Sequence, residues 1–224
     1  MTQRQCVVLG DVVDSREIAE RREFERTLNE TLDTINNQFS DRIKAPFMPL
    51  KGIDEIGGVL SSVQPIGEIQ KILSTRLHPE QIRIVAVVGQ VETYKETDDV
   101  SEMDGSAFSR ADFILSKLES ESLTFRLSGN NTPVDSFISD EICLLDMIRS
   151  KWSSRKMEVV RKYDEANNQK EVAKELEISA QAVSNHLRDV QNEEIRRIEE
   201  RLFENIRNYP EISTNESNSN HYSL

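Results

Sequence analysis

The spacing of apolar and polar positions changes several times along the chain, and each change marks a predicted element. Cys6 to Val13 is a short run rich in β-branched residues, which predicts a buried strand. From Glu17 to Phe39, apolar residues such as Phe24, Leu28, Leu32 and Ile35 recur at helical intervals with charges between them, predicting an amphipathic helix. Ala45 to Leu60 predicts two strands around a tight bend at Gly52-Ile53-Asp54-Glu55. Ile66 to Leu77 predicts a helix, Gln81 to Gly89 a strand, Ser106 to Ser120 a helix, Leu123 to Leu127 a strand and Val134 to Ser150 a helix. The acidic stretch Glu92 to Asp104 is expected to be an exposed loop or ragged hairpin. Beyond Trp152 the strand pattern stops. Arg155–Asp164, Gln169–Leu176, Ala180–Val190 and Asn192–Asn208 all predict helices. Residues 209–224, rich in Ser and Asn and without an apolar period, are expected to form a disordered tail.

The leading order of strand, helix, strand, strand, helix, strand is that of a ferredoxin-like split βαβ arrangement. The expected fold is therefore α+β: a ferredoxin-like domain over residues 1–150, then an all-α helix-turn-helix domain over residues 151–208. A chain of 224 residues suits one or two cores. No uninterrupted apolar run approaches the roughly 20 residues that cross a bilayer, and Asp11 and Asp14 interrupt the N-terminus before a signal-peptide core forms. Cys6 and Cys143 supply neither a disulfide framework nor a C-x-x-C site. The expected location is cytoplasmic, with no membrane partner.

A net charge of −12 argues against nucleic acid, but its distribution changes that picture. Residues 1–150 carry 16 Lys and Arg against 26 Asp and Glu, whereas residues 151–208 carry 12 against 12. Only the second region would approach a phosphate backbone unaided. Within it, Gln169 to Arg188 reads QKEVAKELEISAQAVSNHLR. Val172 and Leu176 lie one turn apart, small Ala173 permits close helix approach, Ser179 is a good N-cap, and Val183 and Leu187 face back. This is a helix-turn-helix pattern, with Glu177 standing where the turn usually has glycine. It resembles the reading domains of LuxR-type regulators and of sigma-factor region four.

In such a motif the second helix enters the major groove of double-stranded DNA. Gln181, Ser184, Asn185 and Arg188 would be exposed there, and Asn, Gln and Arg make paired hydrogen bonds to base edges. Lys170 and Lys174, with Arg155 and Lys156, are the candidates for phosphate contact. The plainer alternative is a helical hairpin with a solvated polar face. Because the region is electrically neutral, useful affinity calls for a homodimer. Ile195, Ile198, Leu202 and Ile206 on the last helix offer a dimer seam or, equally, a face packed on the chain's own core.

In the first domain, Asp11 follows a hydrophobic strand and Asp54-Glu55 sits at a strand bend. If the first and third strands are neighbours, Asp11 and Asp54 converge. Two close carboxylates repel unless protonated or bridged by a cation, and magnesium or manganese suits such oxygen ligands. Solvated turn residues are the alternative. Arg110 and Lys117, seven apart on one helix face, would meet a triphosphate or else pair with nearby carboxylates.

The order Leu9-Gly10-Asp11-Val12-Val13, Lys51-Gly52-Ile53-Asp54-Glu55 and then Ile82 to Gly89 resembles the palm core of class III nucleotide cyclases and GGDEF proteins. A closer resemblance is to the SatD family. It rests on Gly10-Asp11 with Asp14-Ser15-Arg16, Asp54-Glu55 with Gly58-Val59-Leu60, Met103-Asp104-Gly105-Ser106-Ala107-Phe108-Ser109-Arg110-Ala111, and Trp152 ahead of the helix-turn-helix. The resemblance implies a palm-like domain with Asp11 and Asp54 as metal ligands and Glu55 as an accessory carboxylate. Ile53 departs from the usual glycine before the Asp-Glu pair. A β-branched side chain there would hold phosphates away, so a degenerate site is expected, serving dimerisation or nucleotide sensing. The reading reached from sequence is a dimeric DNA-binding regulator. A metal-dependent nucleotidyl transferase or cyclase, and a protein-interaction scaffold, are the alternatives.

Overall fold

The computed structural model describes residues 2–93 and 98–210. Its elements run β1 (Thr2–Val12), α1 (Arg21–Gln38), β2 (Ile43–Pro49), β3 (Glu55–Leu60), α2 (Ile66–Arg76), β4 (Ile82–Thr93), β5 (Met103–Asp104), α3 (Ser106–Glu121), β6 (Phe125–Ser128) and α4 (Thr132–Arg149). Four helices follow: α5 (Ser154–Ala166), α6 (Gln169–Glu175), α7 (Ala180–Asp189) and α8 (Asn192–Arg207). The protein is thus of mixed α+β class. Among the described residues one sheet contains every strand, in the order β2-β3-β1-β4, with β5 and β6 sharing the outer edge of β4. β1 pairs antiparallel with both β3 and β4, and β2 antiparallel with β3, whereas β6 runs parallel to β4.

The central strands are continuously apolar because both faces of the sheet are covered. Cys6, Val8 and Val12 of β1 join Ile82, Ile84 and Ala86 of β4 in the larger core, beneath α1, α2 and α4. Val7 and Leu9, with Val85 and Val87, point the other way into a second cluster closed by Ala107, Ala111 and Leu118 of α3. Strand alternation therefore sends Cys6, Val8 and Val12 to one environment and Val7 and Leu9 to the other. Gly10 leaves room that a side chain would fill, since an added Cβ would lie 2.8 Å from the Arg83 carbonyl oxygen. The acidic stretch Glu92–Asp104 is in part ordered: Glu92 pairs with Asp104 across β4 and β5, and Val100 is buried, while residues 94–97 lie outside the described residues.

Helices α5, α6 and α7 enclose a third cluster of Val159, Val160, Val172, Val183, Leu187 and Val190 with Ala173. Trp152 packs against both this cluster and the larger core. Helix α8 does not belong to the third cluster. Its Ile195, Leu202 and Ile206 are buried in the larger core, and Ile198 packs against it. A dimer seam on α8 is thereby excluded as long as this core stays packed, since those side chains already have partners within the chain. Tyr209, the first residue of the expected tail, is instead part of the fold. Tyr209 is buried, its hydroxyl donating to Asp135 Oδ1 at 2.5 Å and accepting from the Asn130 N–H at 3.1 Å. Residues 211–224 lie outside the described residues.

A buried ionic cluster fastens α5 and α8 to the body. Lys71 of α2 reaches Asp164 of α5 at 2.7 Å and Glu199 of α8 at 2.9 Å. Arg149 of α4 pairs with the same Glu199 and lies 4.0 Å from Asp146. Asp146 Oδ2 accepts from Gln70 at 2.7 Å and from Thr124 at 2.9 Å. Burial of these groups is tolerable because each charge meets an opposite one or several hydrogen-bond donors.

Candidate functional site

Two places carry the chemistry expected from the sequence, and the first is the outer face of α7. Helix α6 starts at Asn168, whose Oδ1 accepts from the Lys170 and Glu171 N–H groups. It ends in a Schellman-type cap, with the Ile178 N–H donating to the Ala173 oxygen and the Glu177 N–H to the Lys174 oxygen. This cap needs one left-handed residue, and Glu177 supplies it at φ 52°. The residue in the usual glycine position has thus taken the glycine conformation. Ser179 then caps α7, accepting from the Ala182 N–H at 3.0 Å, a contact worth about 1 kcal/mol.

Val183 and Leu187 anchor α7 inward, and that phase turns Gln181 and Arg188 to solvent, with Ser184 and Asn185 half-buried beside them. Asn185 Oδ1 accepts from Gln181 Nε2 at 3.1 Å and from Arg188 Nη2 at 3.0 Å. The three side chains form one ordered row, presenting the remaining donors and acceptors outward. Lys170 and Lys174 are exposed on α6 and make no ion pair among the described residues. Arg155 and Lys156 are engaged instead: Arg155 bonds Glu158 at 2.6 Å and the Leu176 oxygen at 3.0 Å, and Lys156 pairs with Asp189 at 3.4 Å. A cleft of about 700 Å³ beside α7 is lined by Ser184 and Arg188 on one side and by Glu193, Glu194 and Arg197 of α8 on the other.

The second place is the end of β1. Asp11 stands directly across from Glu55 on β3 and from Arg83 on β4. All three belong to the face covered by α3, where Asp112 and Glu119 join Asp11 and Glu55 around a cavity of about 230 Å³. Arg83 donates to Asp11 Oδ2 at 2.8 Å, while Asp11 Oδ1 is buried without a hydrogen-bond partner. Burial pushes the Asp11 carboxyl above its ordinary range, Arg83 opposes this, and Glu119 and Glu55 add to it. Asp112 is raised likewise, by burial and by Glu55, against the pull of Lys51.

Asp54 is not part of this group. It lies one residue before β3 and pairs at 3.8 Å with Arg21, which opens α1. The expected convergence of Asp11 and Asp54 is replaced by a cross-strand meeting of Asp11 and Glu55. Among the described residues no three His, Cys, Asp or Glu side chains are grouped to hold a metal ion. Ile53 also differs from expectation. Its side chain is buried in the larger core, and the left-handed bend residue is Gly52 at φ 61°. Arg110 and Lys117 line a separate cleft of about 300 Å³ with Arg126 and Glu121, and Lys117 rests 4.5 Å from the Phe113 ring centroid. They do not share a cavity with Asp11.

Sequence reasoning passed over Arg83, and it took Asp112 and Glu119 only as surface partners for Arg110 and Lys117. Arg83 is the one charged position within the apolar run Ile82 to Gly89, and Asp112 and Glu119 lie seven apart on one face of α3. Those were the available signals.

The model of the SatD family matches residues 5–193. The chain belongs to the SatD family. The match runs from β1 into the first turn of α8, so it takes in the Asp11 cavity and the α6–α7 pair together. No curated protein matches this SatD-family chain. No helix among its described residues is long and apolar enough to cross a membrane.

Proposed function

We propose that this SatD-family protein is a cytoplasmic DNA-binding regulator in which α6 and α7 act as a helix-turn-helix and α7 reads the major groove. The observation that carries the reading is the row Gln181, Asn185 and Arg188 on the outer face of a helix whose inner face is held by Val183 and Leu187. Asn and Gln offer a donor and acceptor together, the pattern that adenine presents, and Arg offers the fork that fits guanine. Lys170 and Lys174 supply phosphate contacts that fix register without reading sequence.

The α+β body fits a ferredoxin-like, palm-related domain. An all-antiparallel β2-β3-β1-β4 order on a strand-helix-strand-strand-helix-strand sequence supports that assignment. Its role is to carry the reader and to respond to a nucleotide effector. Metal-dependent nucleotidyl transfer is the weaker reading, because Asp11 is engaged by Arg83 and Asp54 turns toward α1.

The test is a gel-shift selection on fragmented genomic DNA, followed by Asn185→Ala combined with Arg188→Ala. Each bidentate base contact contributes about 1–3 kcal/mol, so the double variant should lose at least about 30-fold in specific affinity while its circular dichroism is unchanged. Equal binding by the double variant refutes the DNA-reading assignment.

A further inference from the structure

The inward face of α4 is fully used. Ile138, Ile142 and Leu145 lie in the larger core, and Asp146 and Arg149 in the ionic cluster. A helix buried on one side ordinarily shows charges on the other, yet α4 shows Phe137 (59% exposed), Leu144 (56%), Met147 (51%) and Ile148 (43%). These are four of the five large hydrophobic side chains most exposed among the described residues, the fifth being Phe113 of α3. The largest apolar patch on a chain is often a functional contact surface. The outward positions Phe137, Asp140, Leu144, Met147 and Lys151 succeed one another at alternating steps of three and four residues, the spacing of a two-helix coiled-coil seam. Lys151 continues the stripe through the turn that closes the helix, its N–H donating to the Ile148 oxygen at 3.2 Å.

We propose that this face binds a second copy of the chain, with the two α4 helices antiparallel about a two-fold axis. The charges on the stripe select the orientation. When the axis passes between Leu144 and Met147, Leu144 meets the partner's Met147 and Asp140 meets the partner's Lys151. Symmetry repeats both contacts. Parallel pairing would instead oppose Asp140 to its own copy and Lys151 to its own copy, and like charges disfavour it. Neither Asp140 nor Lys151 makes an ion pair among the described residues, so both are available across the axis. The stripe offers a few hundred Å² of apolar surface, less than the roughly 800 Å² per partner of a standard interface. The proposed dimer therefore belongs with small, reversible interfaces. This inference does not rest on DNA reading, and its test contains no DNA.

Sedimentation equilibrium over about 1–100 µM reads it directly. Wild type should self-associate within that range. Leu144→Glu should weaken association by at least about tenfold, as should Asp140→Lys and Lys151→Asp singly. The Asp140→Lys/Lys151→Asp double variant should return to within about threefold of wild type, because the opposed pair is restored with its signs exchanged. All three substitutions are at exposed positions, and unchanged thermal unfolding checks that the fold persists. A wild type monomeric throughout, a dimer indifferent to Leu144→Glu, or a double variant as weak as the singles would each overturn the proposal.

Discussion

Arg149→Met tests whether the ionic cluster, rather than apolar packing alone, holds α8 and α5 on the body. Arg149 is 4% exposed and Glu199 is 3% exposed, so neither can recover hydration when the other is lost. Methionine fills much of the aliphatic volume and leaves two carboxylates with altered surroundings. Glu199 retains Lys71 at 2.9 Å, but Asp146 is left with the neutral donors Gln70, Thr124 and Ser74. Breaking one side of a buried pair costs about 3–5 kcal/mol, because the remaining charge stays buried. The pH dependence follows from Asp146. Burial already raises its folded-state pKa, opposed by Gln70, Arg149 and Thr124, and removing Arg149 raises it further. A raised carboxyl favours the folded state below its unfolded pKa, and that advantage is lost as pH rises through the folded value. The cost of Arg149→Met relative to wild type should thus be greater at pH 8 than at pH 5, since lowering the pH favours the protonated Asp146 carboxyl. Urea unfolding followed by circular dichroism at both pH values measures it. Adding Glu199→Gln should cost less than the two single changes summed, since it removes a carboxylate that Arg149 no longer balances. A cost below about 1 kcal/mol, or one larger at pH 5 than at pH 8, would refute the reasoning.

Glu177→Gly should stabilise the protein by about 1 kcal/mol, seen as a higher unfolding midpoint, because Glu177 holds a left-handed conformation at φ 52° that glycine adopts without a Cβ clash. Cys6 is wholly buried, and burial pushes its thiol from 9.0 up to about 12. It should resist thiol reagents in the native protein and react once urea unfolds it. With the folded pKa above the unfolded one, stability from this group is present below pH 9 and falls as pH climbs toward 12. Incubation with each nucleoside triphosphate and manganese should yield no cyclic or linked product by mass spectrometry. A product that disappears in Asp11→Ala would reinstate the metal-dependent reading. The slope of log affinity against log salt for DNA should be near −2 per reader, as two phosphate-contacting lysines release about two counterions. A much steeper slope would show that other cations make the contacts.

The sequence by itself determined what depends on neighbours within a few residues. Helical periodicity in Phe24, Leu28, Leu32 and Ile35, the strand run after Cys6, the Ser179 cap and the inward phase of Val183 and Leu187 were all legible, because spacing along the chain records which side of an element is buried. The tertiary structure alone decided which distant residues meet. Antiparallel register sets Asp11 against Glu55 and Arg83 and leaves Asp54 to Arg21, and a shift of one residue would have exchanged those faces. The same limit governed Ile53, whose burial depends on where α1 lies, and the Ile195–Ile206 stripe, whose spacing fits a second chain as well as the chain's own core. Nothing in the spacing around Gln70, Asp146, Arg149 and Glu199 marks them as buried. They are buried because each finds its counterpart on another helix, and the free energy that allows a charge to be buried resides in that pairing, which no single segment contains.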